Sequence, residues 1–195
     1  MQNYLFVHFR EKTTPDGEQV YFAISRDGFQ WEALNDGQPV LWAYHGDHGV
    51  RDMTICRDQA TGRFHIFATD LSLSYGMRGK YNHSWRNINL HGSKDLAHWW
   101  SDDLVHWSEQ EMITLGDEGS GCIWAPDIIF DKENGDYVLI GATATRTTIT
   151  APWPSTTPAR RILSTTPSLR CSTARRTAAA LTRLCTRRTA SITCL

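Results

Sequence analysis

Ser101-Asp102-Asp103-Leu104-Val105-His106-Trp107 repeats a spacing found 76 residues earlier in Ser25-Arg26-Asp27-Gly28-Phe29-Gln30-Trp31. The shared pattern, Ser-x-Asp-x-x-x-Trp, reads as a strand ending in a Ser-x-Asp turn followed by an inward Trp. A partial echo, Ser93-Lys94-Asp95-Leu96-Ala97-His98-Trp99, lies eight residues ahead of the second copy. Around these turns, three windows carry Gly and then a β-branched and aromatic run. They are Asp16-Gly17-Glu18-Gln19-Val20-Tyr21-Phe22-Ala23-Ile24, Thr61-Gly62-Arg63-Phe64-His65-Ile66-Phe67-Ala68 and Asn134-Gly135-Asp136-Tyr137-Val138-Leu139-Ile140. Gly supplies the positive φ of a tight turn, so each window predicts a β-hairpin.

A hairpin followed by a strand, a Ser-x-Asp turn and a Trp fits one blade of a β-propeller. The 76-residue spacing is too long for a plain blade, and Asp70 to Gly92 reads as the inserted loop that makes up the difference. Periodicity alone fits a generic all-β sandwich equally well.

Composition divides the chain at residue 145. Residues 1–145 hold all 21 acidic residues and 11 basic ones, a net of −10. Residues 146–195 hold nine Arg and no acid, a net of +9, with thirteen Thr and no Lys, Gly, Asn, Gln, Phe or Tyr. The whole-chain charge of −1 is the cancellation of the two. No apolar run reaches the roughly 18–20 residues of a spanning helix, which argues against a membrane partner. The N-terminus lacks a basic region and a long apolar core, so no signal peptide is read and a cytoplasmic location is expected. Cys56 and Cys122 are the only cysteines before residue 146, which suits a reducing compartment. The His residues show no zinc-like spacing beyond His45 and His48, so no metal is expected. Without a Gly-rich phosphate loop between strand and helix, no nucleotide cofactor is expected either.

Three segments together resemble glycoside hydrolase family 43. Gly49-Val50-Arg51-Asp52-Met53-Thr54-Ile55 is similar to the family's G-V-R-D-P-x-I, with Met53 where the family has Pro. Ser101–Trp107 resembles its S-x-D-L-x-x-W turn, and Gly121-Cys122-Ile123-Trp124-Ala125-Pro126-Asp127-Ile128 its W-A-P-D-I segment. The resemblance covers residues 4 to about 145. It implies an all-β chain in which residues 1–145 form the first two blades and the start of the third of a five-bladed propeller. It also implies an oligosaccharide or polysaccharide substrate, containing arabinose or xylose, and no cofactor. An inverting glycosidase pairs a carboxylate that activates water with a protonated one that serves the leaving group, roughly 6.5–9.5 Å apart. The resemblance makes Asp52 the general base; without it, Asp52 would read as a turn carboxylate paired with Arg51. Trp124 either stacks on a sugar or plugs the core. Asp127 is expected to be structural. Asp70 and His91 border the insertion and are substrate-binding candidates, with surface placement the default for both. A non-catalytic carbohydrate-binding module is the alternative from another class.

Residues 146–195 admit three readings: a disordered linker, a basic arm for nucleic acid, or a stretch translated out of frame. The third can be worked on paper. Moving the frame one nucleotide earlier lets Thr150–Thr157 read Y-G-P-M-A-I-Y-Y, and Leu181–Leu195 read L-D-S-A-M-Y-E-E-D-G-K-Y-Y-L-F. The latter ends in the turn-plus-aromatic pattern of the three hairpins. It also resembles the family's third-blade segment, whose Asp is the second active-site carboxylate. The out-of-frame reading is therefore preferred over a nucleic-acid arm. As written, residues 146–195 have few large apolar side chains, and disorder or poor packing is expected. The family's second carboxylate and acid are then missing, and the chain is expected to be inactive.

Overall fold

The computed structural model describes residues 3–133, 135–144, 157–163 and 193–194. In it the two Ser-x-Asp turns are built alike. Ser25 Oγ accepts the N–H groups of Asp27 and Gly28, at 3.3 and 2.8 Å, and Asp27 Oδ1 accepts those of Phe29 and Gln30, both at 2.8 Å. Ser101 Oγ accepts those of Asp103 and Leu104, at 3.2 and 2.8 Å, and Asp103 Oδ1 those of Val105 and His106, at 2.9 and 2.7 Å. Side-chain oxygens thus satisfy backbone donors that the turn removes from the sheet.

The Trp residues that follow differ. Trp107 packs into the core with its ring edge-on to Phe22, as expected of an inward Trp. Trp31 is 39% exposed and lies against Phe6, contrary to that expectation. The partial echo is also not a turn of this kind, because Asp95 and Trp99 lie within one strand.

Eleven strands, one α-helix and a short 3₁₀ turn at Asn35–Gly37 are described. The first sheet contains β1 (Tyr4–His8), β2 (Tyr21–Ser25) and β3 (Glu32–Ala33). The second runs in order through β4 (Val50–Arg57), β5 (Phe64–Asp70), β6 (Asp95–Ser101) and β7 (Glu111–Thr114). The third begins with β8 (Trp124–Asp131) and β9 (Asp136–Thr143). Within these three groups the pairings are antiparallel and join strands that follow one another in the chain. The expected hairpins at Gly62 and Gly135 are present, with φ of 77° and 69°. This is a partial β-propeller of two blades and the start of a third.

Of residues 146–195, the described ones form two strands. β10 (Thr157–Leu163) adds to the open edge of β9, and β11 (Thr193–Cys194) pairs with β1. The expectation of disorder for the rest falls outside the described residues.

Packing follows the two faces of the second blade, as a period of two requires. Ile66, Ala68, Ala97 and Trp99 meet Leu5, Val20, Phe22 and Val50 in the larger core. Phe67 and Leu96 meet Ile123 and Leu139 of the third blade in a smaller one. The insertion is more ordered than a loop. It carries α1 (Trp85–His91), whose first turn is capped by Ser84 Oγ accepting the Asn87 N–H at 3.2 Å. Leu71, Tyr81 and Ile88 form its own buried cluster.

Candidate active site

Asp52 owes its position to a β-bulge. Across the β4–β5 pair, Arg51 faces Thr69 and Thr54 faces Phe67, so Asp52 and Met53 together oppose Ala68 alone. The extra residue takes φ of 47°, a left-handed conformation that Asp tolerates better than most residues. Val50 faces Asp70, so the insertion after β5 emerges at the same end of the blade as Asp52. The segment between β1 and β2 reaches that end too, where Glu18 C=O accepts the Val50 N–H at 2.7 Å.

Asp52 is exposed to solvent. Surrounding protein nevertheless removes enough water to raise its pKa; Arg51 opposes the rise and Glu11 adds to it. A direct pairing of Asp52 with Arg51 is not what the structure contains. The guanidinium donates to Glu18 Oε1 at 2.8 Å and Glu11 Oε1 at 2.9 Å, and lies over the Phe9 ring at 4.7 Å. It acts on Asp52 through its field. Glu18, Glu11 and Phe9 are the neighbours that sequence reasoning missed. Glu18 sits inside a hairpin window where an acid looks like a turn residue, and nothing local marks it as buried.

A second bulge of the same form opens β8. Trp124 faces Ala142 and Asp127 faces Ile140, leaving Ala125 and Pro126 opposite Gly141. Ala125 has φ of 45°, and its N–H donates to Thr69 Oγ1 at 2.8 Å, tying the third blade to the second. Met53 therefore occupies the bulge position that Pro126 fills in the next blade. Trp124 is half-buried and packs against the Leu71, Tyr81 and Ile88 cluster of the insertion. Asp127 is exposed, and its Oδ1 accepts the N–H of Ile128.

The two remaining candidates separate. His91 is exposed at the end of α1, as expected of a surface residue. Asp70 is buried, at 2% exposure, correcting the expectation of a surface position. Its Oδ1 accepts the Asp47 N–H at 2.7 Å, and Asp47 in turn accepts from Lys80 Nζ and Tyr81 Oη, each at 2.7 Å. Burial, aided by the Asp47 charge, pushes Asp70 up to about 6 against the hydrogen bonds it receives. Gly46 and Asp47, from the segment before β4, lie directly on this acid, a contact that a reading of Asp70 as a loop-border residue could not contain.

Farther along the second blade, Glu111, His98 and His65 form a chain with contacts of 3.1 and 3.0 Å. Burial and the neighbouring His65 push His98 down to about 4. No group of three or more His, Cys, Asp or Glu able to hold a metal occurs among the described residues.

Residues 1–166 match the family-43-related glycosyl hydrolase family described as "Probable glycosyl hydrolase domain". The match runs past the change in composition at residue 145. The chain is 26% identical over 132 residues to an alpha-L-arabinofuranosidase of Bifidobacterium longum subsp. longum, covering 66% of this chain and 12% of that one. In structure it resembles the GH32 beta-fructofuranosidase of Bombyx mori, with a TM-score of 0.54 at 16% identity, over 85% of this chain and 32% of that one. A mutant of that enzyme in complex with sucrose gives 0.53 at 16% identity, over 87% and 34%. The chain thus spans about an eighth of the curated relative and a third of the structural ones. Two blades, the start of a third and a match over most of its length place this chain in the family-43-related glycosyl hydrolases.

Proposed function

We propose that this chain is part of a glycosidase that hydrolyses O-glycosidic bonds of arabinose- or xylose-containing saccharides with inversion, Asp52 serving as the general base. The observation that carries the reading is the bulge. It sets a solvent-exposed carboxylate at the mouth of the second blade, without an ion-pair partner among the described residues. A base must reach water and stay largely ionised near neutral pH, and a carboxylate whose pKa burial lifts from the ordinary range accepts a proton more readily. The arabinofuranosidase relative supports a pentose substrate.

On this reading the 195-residue chain is inactive as written. It carries the base, whereas the second carboxylate, which in the family orients substrate and tunes pKa, belongs to the frame one nucleotide earlier, and the acid has no counterpart among the 195 residues. Leaving-group protonation contributes about 10²–10⁴ in rate, and its loss removes useful turnover. The test uses an aryl α-L-arabinofuranoside and an aryl β-xyloside. The 195-residue chain is expected to release no phenol above background. A version with one nucleotide restored near codon 145, read on in that frame through the rest of the propeller, is expected to be active and to lose about 10²–10⁴ of that activity in Asp52→Asn. Turnover by the chain as written, or full activity of the Asp52→Asn variant in the restored frame, would overturn the corresponding part.

A further inference from the structure

Glu18 is a buried acid with no part in the chemistry proposed above. Its side chain is 3% exposed, yet five donors meet it. Arg51 Nη1 and the Leu73 N–H donate to Oε1, at 2.8 and 2.9 Å. Ser72 Oγ, the Ser74 N–H and Ser74 Oγ donate to Oε2, at 2.8, 3.0 and 2.9 Å. These donors come from two elements besides its own: the bulged strand β4 and the first residues of the insertion. Gly49 permits the convergence, since a Cβ there would stand 2.7 Å from Ser72 Cβ and 3.3 Å from Glu18 Cβ. Burial works to raise the Glu18 pKa, but the donors outweigh it and hold the group ionised.

We propose that Glu18 is the positioning residue of the Asp52 site: it anchors Arg51 beside the β4 bulge and seats the β5–β6 insertion at the same mouth. Docking of the insertion and the electrostatic setting of Asp52 are then one linked event. The argument rests on chemistry only a carboxylate supplies. Both oxygens of Glu18 accept, so an amide would turn its NH₂ toward donors and leave them unsatisfied. Arg51 gives the link its direction. Glu18 neutralises the guanidinium next to Asp52, and a weakened pair exposes Asp52 to more of that positive charge. Glu11 is the built-in contrast. It is 71% exposed and, among the described residues, accepts a hydrogen bond from Arg51 Nη2 and from no residue of the insertion.

This inference rests on Asp52 being the base, but its test needs no turnover. In the full 195-residue chain, the Asp52 carboxyl is titrated by carbon NMR and trypsin cleavage is timed at the exposed Arg78 within the insertion. Glu18→Gln is expected to lower the Asp52 midpoint and to speed cleavage at Arg78 about tenfold or more. Glu11→Gln is expected to lower the midpoint and leave cleavage unchanged. An unmoved Asp52 midpoint or unchanged cleavage in Glu18→Gln overturns the proposal. Where Glu18→Gln does not fold, Ser74→Ala carries the test, since it removes one donor and no charge. Faster cleavage with a displaced midpoint supports the link; faster cleavage with an unmoved midpoint makes Glu18 merely structural and overturns it. The Asp52→Asn assay in the restored frame decides separately whether Asp52 is the base.

Discussion

The bulges of β4 and β8 share one backbone form and carry different chemistry. Each opens the first strand of a sheet, sets two residues against one, and places the extra residue at a positive φ near 45°. Position by position, Arg51-Asp52-Met53-Thr54 corresponds to Trp124-Ala125-Pro126-Asp127. One bulge presents a carboxylate backed by a buried charge network; the other presents a methyl group next to a Trp packed on a hydrophobic cluster. The repeated architecture supplies the shape, and the side chains grafted onto it supply the function.

Five measurements press on this comparison. The largest effect is expected at its first position. Arg51→Ala leaves Glu18 buried without its charge partner and should cost about 3–5 kcal/mol in urea unfolding. Trp124→Ala, at the corresponding site, removes a half-buried ring and should cost about 2–3 kcal/mol. Equal losses would mean that both positions are simple packing sites. Next comes the strained residue itself. Ala125→Val places a β-branched side chain at positive φ and is expected to destabilise by about 1–3 kcal/mol, whereas Ala125→Gly should be neutral or slightly stabilising. Thr69→Val, which breaks the link from the second blade to the Ala125 N–H, should cost about 1 kcal/mol.

The smallest effect separates the bulges by pH. The folded pKa of Asp52 lies above its unfolded value, so its contribution is fully present below the unfolded pKa. That contribution is lost as pH rises through the folded pKa. Asp52→Asn should therefore gain stability over the parent as pH rises, and Ala125→Gly should show no such trend. His98 gives the opposite sign within the same blade. Its folded pKa is depressed to about 4 from 6.5, so stability present above about 6.5 is lost as pH falls toward 4. Melting temperatures of the parent and His98→Phe across that window show the difference, with the variant expected to have the flatter profile.

Local features were legible in the residues alone. The Ser25 and Ser101 turns rely on oxygens two or three residues from the donors they satisfy, and the hairpin at Gly62 needs only its positive φ. The Asp52 segment was legible as a motif. What depended on distance in the chain was not. Trp31 and Trp107 occupy the same place in the same turn, and only the neighbouring blade decides that Trp107 is covered. Asp70 looked like a loop border, but Gly46 and Asp47, more than 20 residues earlier, lie directly on its carboxylate. Glu18 gained its role from Ser72 and Ser74, more than 50 residues away.

By itself, the sequence determined that residues up to about 145 build short antiparallel strands with two matching turns, that a carboxylate follows Arg51, and that composition changes sharply thereafter. These follow from local backbone preference and from the order of residues, which need no partner to be defined. The tertiary structure decided that β4 bulges at Asp52, that Arg51 turns to Glu11 and Glu18, and that Gly46 and Asp47 bury Asp70. Those outcomes depend on burial and on hydrogen bonds between distant segments. Their energies exist only once the blades have packed and water has been excluded between them.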